Sequence, residues 1–143
     1  MPGSKSKSLA TWLALGFGVF GLHRFYLRGG RDAWAWLHLP PTLAGLHGVQ
    51  RVQALGQDDQ LSWLLLPLLG LMVAQACLCA IVYGLTSDAA WAARHHQAVT
   101  PTRWGPVLGV IAALMVGATA LMATIAFSGQ RFFEWQVLEQ QTA

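Results

Sequence analysis

The chain has 143 residues, 55% hydrophobic and 10% charged, with nine Lys and Arg against six Asp and Glu. A soluble domain carries about 25% charged residues, so this chain cannot cover a water-facing surface and its solvent is lipid. The basic residues are scattered rather than massed on one face, which gives no footprint for nucleic acid.

Residues 1–7 read as a polar tail with Lys5 and Lys7. An apolar segment follows from Ser8. It reaches the roughly 20 residues of a membrane span only if it runs on through His23 to Leu27. No small-x-small cleavage site follows it, so it is read as a retained membrane helix rather than a signal peptide. The segment closes on GVFGLHRFYL, Gly18 to Leu27. Gly18 and Gly21 remove bulk, so a second helix can come close. Arg24 near the end of a span can reach phosphates by snorkelling, and Phe25 and Tyr26 suit headgroup depth. The expected role is a tight turn plus an interfacial anchor. His23, Arg24, Phe25, Tyr26 and Arg28 are the candidate docking residues for lipid headgroups or a partner.

Over this stretch the sequence resembles the TM2 domain family, with Gly18, Gly21, His23, Arg24, Phe25, Tyr26 and Leu27 matching its turn and Lys5 and Lys7 preceding it. The resemblance implies a membrane hairpin over about residues 5–85 and implies no reaction. The family's second helix normally comes soon and carries a tryptophan followed by an aspartate. Placed on the next long apolar segment, that pattern finds Trp63 but no aspartate, which leaves Arg24 without the expected partner.

Residues 31–59 are too short and too interrupted for a span and form an insert. Pro40-Pro41 stop any helix begun at Asp32, and a new helix can start with Pro41 in its first turn. Leu43, Leu46, Val49, Val52 and Leu55 then recur every three residues. That row predicts a weakly amphipathic helix lying in the headgroup plane or folded back on the bundle.

From Gln60 to Ser87 there is no charged residue, and Gln60 to Leu85 is the clearest span, with Trp63 and Tyr83 as an aromatic belt. Gln75, near its middle, should hydrogen-bond across to a neighbouring helix. Cys77 and Cys79 lie two positions apart and point away from each other, so they read as apolar filler. A polar loop over 86–103 precedes a second charge-free run, Trp104 to Gln130. This third span, 104–130, carries Gly105, Gly109, Ala113 and Gly117 every four residues. The bare stripe serves either packing within the chain or docking of a partner membrane protein or second copy. Residues 131–143 form a tail held at the interface by Phe132, Phe133 and Trp135.

The fold expected is therefore an all-α integral membrane protein with three transmembrane helices and an interfacial or re-entrant segment. No nucleophile or acid stands near His23, so no catalytic residue is assigned. No histidine pair has the i, i+4 spacing of a helical metal site, so no metal or cofactor is assigned either. His38 and His47 could approach His23 at one interface. Three roles are compatible with these features. The first is a small bacterial inner-membrane accessory subunit, anchored at lipid headgroups and packed on a partner through the glycine stripes. The second is an oligomeric lipid- or ion-handling protein, and the third a redox subunit with a histidine-bound cofactor. With three simple spans, Lys5, Lys7, Arg94 and Arg103 fall on one side and Arg24, Arg28, Arg31, Arg51 and Arg131 on the other. Five against four does not set an orientation.

Overall fold

The computed structural model describes residues 4–142, so the first three residues of the polar tail and Ala143 lie outside it. Among the described residues every regular element is helical. Ser6 caps α1, Lys7–Phe17, by accepting from the Leu9 N–H. A single 3-10 turn, Gly18–Phe20, follows, and Gly21 takes a left-handed φ of 75°. The chain then reverses into α2, Leu22–Arg28. The first apolar segment is thus two short helices folded against each other. A single helix from Ser8 through Leu27 is not formed, because Gly21 adopts a backbone that turns the chain back.

The reversal returns the chain towards its start. The Lys5 ammonium donates to the Tyr26 carbonyl at 2.6 Å, and the Ser6 N–H donates to the Tyr26 hydroxyl at 2.9 Å. A short α3, Ala33–Trp36, and then α4, Leu39–Leu55, run away again, the latter with proline in its first turn. The Thr42 hydroxyl donates to the Val19 carbonyl at 2.6 Å, pinning the start of α4 beside the 3-10 turn.

Helix α4 folds back on the bundle through its small residues. Thr42, Gly45 and Gly48 are buried, while Leu43 and Leu55 are 57% and 61% exposed. Backbone approach explains this. A Cβ built on Gly45 would lie 2.5 Å from the Leu69 Cβ and 2.7 Å from its N, and one on Gly48 2.7 Å from the Leu65 Cβ. The small residues let α4 lie directly on the next helix, and the leucine row points outward. In lipid, unlike water, that costs nothing, because the tails are as apolar as leucine.

Helix α5, Gln60–Leu85, keeps the bounds expected from the sequence. At 1.5 Å per residue it is about 39 Å long, more than the ~30 Å hydrocarbon core. Helix α6, Asp88–His95, occupies part of the expected loop. Helix α7 starts at Gly105 and runs unbroken through Arg131 to Thr142. Both α5 and α7 are long and apolar enough to cross a membrane, and only 17% and 11% of their most apolar stretches are buried within the protein. The core helix of a soluble protein would be mostly buried. Here the apolar surface is left for lipid.

The interior is built from small residues: Ala10 and Ala14 of α1, Ala76, Cys77 and Ala80 of α5, and Ala113 of α7. The stripe on α7 is consumed there. A Cβ on Gly105 would meet Ser8 at 3.4 Å, on Gly109 Thr11 at 2.7 Å, and on Gly117 Cys77 at 2.7 Å. Gly18 sits against Ala76 in the same way, at 2.6 Å, and Gly21 against the Ala35 carbonyl. Gly18, Gly21, Gly105, Gly109, Ala113 and Gly117 therefore pack helices of this chain together. The alternative use of the stripe, docking of a partner or second copy, loses its surface. Gln75 also departs from expectation: its amide donates within α5 to the Cys79 sulfur at 3.3 Å instead of across the bundle.

Candidate functional site, a basic pocket at the N-terminal end

Two arginine–aspartate clamps organise the turns. Arg24, in α2, donates from Nε to Asp32 at 2.8 Å, and Asp32 also caps α3 by accepting from the Trp34 N–H. Arg51, on α4, donates to Asp59 at 2.8 and 2.6 Å, and Asp59 caps α5 by accepting from the Ser62 N–H. Each aspartate lies eight residues after its arginine. Each cap places a negative charge at the positive end of a helix dipole while neutralising the preceding helix's arginine. Arg24 thus does have a carboxylate partner. It is Asp32, inside the insert, and the repeated eight-residue spacing was the sequence signal for it. The Arg24 guanidinium holds the Asp32 carboxyl below the usual carboxylate range, chiefly through its hydrogen bond.

His23 is not a headgroup residue. It is fully buried, with its ring centroid 5.7 Å from that of His38 and 5.8 Å from that of Tyr83. The approach of His38 matches the sequence expectation, but it happens inside the bundle, and His47 stays exposed on α4. His38 Nδ1 lies 2.6 Å from the Trp34 carbonyl, which can only accept, so that nitrogen carries the proton. Both ring nitrogens of His23 and Nε2 of His38 have no hydrogen-bond partner among the described residues. Among the described residues no group of three His, Cys, Asp or Glu could hold a metal ion. Phe25 and Tyr26 are half-buried: Phe25 packs edge-on to Trp36, and Tyr26 ties down the N-terminal segment. Of the five docking candidates, only Arg24 and Arg28 reach an open site.

That site is a cavity lined by Arg24, Leu27 and Arg28 of α2, Tyr83 of α5, and Trp91, Arg94 and His95 of α6, with a volume of about 280 Å³. Tyr83, Trp91 and His95 form its wall as successive ring contacts, with centroids 6.0 and 4.5 Å apart. Trp91 is held in place by donating its indole N–H to the Lys5 carbonyl at 2.8 Å. The lining contains three arginines, a histidine and no carboxylate. Burial, followed by the charge of Arg94, lowers the His95 pKa, so the arginines supply the positive charge. Arg94 and His95 were read from the sequence as loop residues. Nothing in a one-dimensional pattern sets α6 beside α2.

A second structure at the same end secures α6. Lys7 donates to Asp88 at 2.6 Å, and Asp88 also accepts from the Thr102 N–H at 2.8 Å and from its hydroxyl. The ends of α1, α2, α5, α6 and the start of α7 thereby form one polar cap.

Residues 3–50 match the family described as the TM2 domain. This stretch is a TM2 domain. Comparison with curated proteins and with solved structures gave no match. The match ends within α4, whereas the resemblance implies a hairpin over about residues 5–85. Its two arms are α1–α2 and α3–α4, and Asp32 with Trp34 and Trp36 lies in the second arm. Helices α5, α6 and α7 lie outside the TM2 match. The TM2 domain is a membrane domain not known as enzymatic. Together with the two long apolar helices it marks a small membrane protein.

Proposed function

We propose that the protein is a three-pass accessory protein of the bacterial inner membrane. It acts by binding, with its N-terminal polar cap set in the cytoplasmic headgroup layer, where it engages anionic lipid. The supporting observation is how the fold redistributes charge. Because α2 folds back on α1, Arg24, Arg28 and Arg31 join Lys5, Lys7, Arg94 and Arg103 at one end. Only Arg51 and Arg131 stand at the other end, where the Arg131 guanidinium lies 5.0 Å over the Trp63 ring at the start of α5. Seven basic residues against two is the asymmetry that the positive-inside rule reads as cytoplasmic.

The first crossing on this reading is compound. α1 enters, α2 returns, and α3–α4 completes the passage along α5. A broken crossing of this kind is tolerated where the irregular backbone is buried in protein. The turn meets that condition: Gly18 and Gly21 are buried, and the Val19 carbonyl accepts from Thr42.

Reporter fusions test the reading. Alkaline phosphatase, active only outside the cytoplasm, should be active when fused after residue 142 and inactive when fused after residue 97. A fluorescent protein that folds only in the cytoplasm should give the opposite pattern. Both junctions on one side would refute the number of crossings, and a reversed pattern would refute the orientation.

A further inference from the structure

We infer that the cavity between α2, Tyr83 and α6 is a specific site for the phosphate group of an anionic phospholipid, with Arg28 and Arg94 as its two principal ligands. The inference deepens the function proposed above by assigning the lipid contact to one pocket and one chemical group.

Four observations converge. First, the pocket holds three guanidinium charges against one nearby carboxylate, Asp32, which is paired to Arg24. Arg24 gives two of its donors to Asp32, at 2.8 and 3.5 Å, out of the five a guanidinium carries. Among the described residues Arg28 and Arg94 have no hydrogen-bond or ion-pair partner, and no carboxylate lines the cavity. The other paired cations of the chain each have an acid: Lys7 has Asp88, Arg51 has Asp59, and Arg131 has Glu134. Second, the arginines come from two elements, α2 and α6, that converge only through the fold. Two planar forks reaching in from different directions match the oxygens of a tetrahedral phosphate better than a single planar carboxylate.

Third, the walls are rigid. Trp91 is 3% exposed and hydrogen-bonded to the backbone of the N-terminal segment, and Tyr83 and His95 flank it. A site with fixed aromatic walls loses less entropy on binding than freely moving surface arginines would. Fourth, the position suits a lipid rather than a soluble ester. Tyr83 lies two residues before the end of α5, and Leu85, at that end, is 70% exposed. The pocket is therefore at the depth where a phospholipid carries its phosphate, and acyl chains could lie on the outer surface of α5 below it.

The test uses the full chain in nanodiscs or released gently for native mass spectrometry, with phosphatidylglycerol as the anionic lipid and phosphatidylcholine as the zwitterionic one. Arg28→Gln and Arg94→Gln are exposed, partnerless positions and should leave the fold intact. Each should weaken phosphatidylglycerol retention about fivefold, the equivalent of about 1 kcal/mol per arginine at an anionic surface. Arg31→Gln, an exposed arginine at the same end but outside the pocket, should weaken retention less than either pocket variant. Equal losses in all three variants would reduce the effect to general surface charge and overturn the site. No loss in Arg28→Gln and Arg94→Gln would do the same. Glycerol 3-phosphate and inorganic phosphate serve as soluble competitors. If they displace the lipid at equal concentration with the same arginine dependence, the phosphate chemistry stands and the lipid source is overturned. The readout does not depend on membrane orientation, so this inference and the fusion experiment can fail separately.

Discussion

Replacing Gly45 by alanine tests the contact that turns the TM2 domain into the first arm of the bundle. The added methyl would lie 2.5 Å from the Leu69 Cβ, 2.7 Å from its N and 2.8 Å from its Cα. Two of these atoms are backbone, so a rotamer change cannot relieve the contact. Ordinary van der Waals separation begins near 3.4 Å, so α4 must move away from α5 by about 1 Å. The Gly48 contact with Leu65 lies one turn further on and would open with it. Overpacking of this kind costs about 1–3 kcal/mol. It is partly offset by the higher helix propensity of alanine, worth about 1 kcal/mol, so a net loss of up to about 2 kcal/mol is expected. The control is Gly129→Ala on α7, where a Cβ meets nothing within 4 Å. There the propensity gain acts alone and stability should rise by up to about 1 kcal/mol. Unfolding of the two variants in mixed micelles, followed by circular dichroism against denaturant, measures both signs. If Gly45→Ala gained stability as Gly129→Ala does, α4 would not lie on α5 as described, and the compound first crossing would fall with it.

Gly21→Ala should destabilise more than Gly45→Ala, because it adds about 1–2 kcal/mol for an L residue in the left-handed region to a Cβ placed 2.6 Å from the Ala35 carbonyl oxygen; the same unfolding assay checks the order. The Asp88 carboxyl is held at about 2, first by its hydrogen bond from Lys7 and then by Thr102. Its pKa is depressed in the folded state, so its stabilising contribution is full above the ordinary value near 3.8 and is lost as pH falls through about 2. The Asp88 carboxyl carbon shift, followed by NMR in selectively labelled protein, should therefore hold steady from pH 7 to 4 and change below that. A Lys7→Met variant should move the change to higher pH, and an unmoved midpoint would refute the role given to Lys7.

The sequence alone determined the elements whose signal is local. Twenty-eight positions without charge, Gln60 to Ser87, have one stable form in lipid, a helix, because only a helix satisfies its own backbone there. The bounds of α5 and the start of α7 followed from that, and GVFGLHRFYL was enough to identify the TM2 domain. What the fold alone decided depends on which distant groups meet. The left-handed turn at Gly21 sent α2 back beside Lys5, which changed the basic-residue balance from five against four to seven against two. The helical row of leucines on α4 did not say which face meets the bundle; lipid removes the penalty for exposing leucine, so close backbone approach at Gly45 and Gly48 chose the face of small residues. The pocket was the least legible feature. Arg28 and Arg94 are 66 residues apart in the chain, and only the packing of α6 on the ends of α2 and α5 gives them a common cavity.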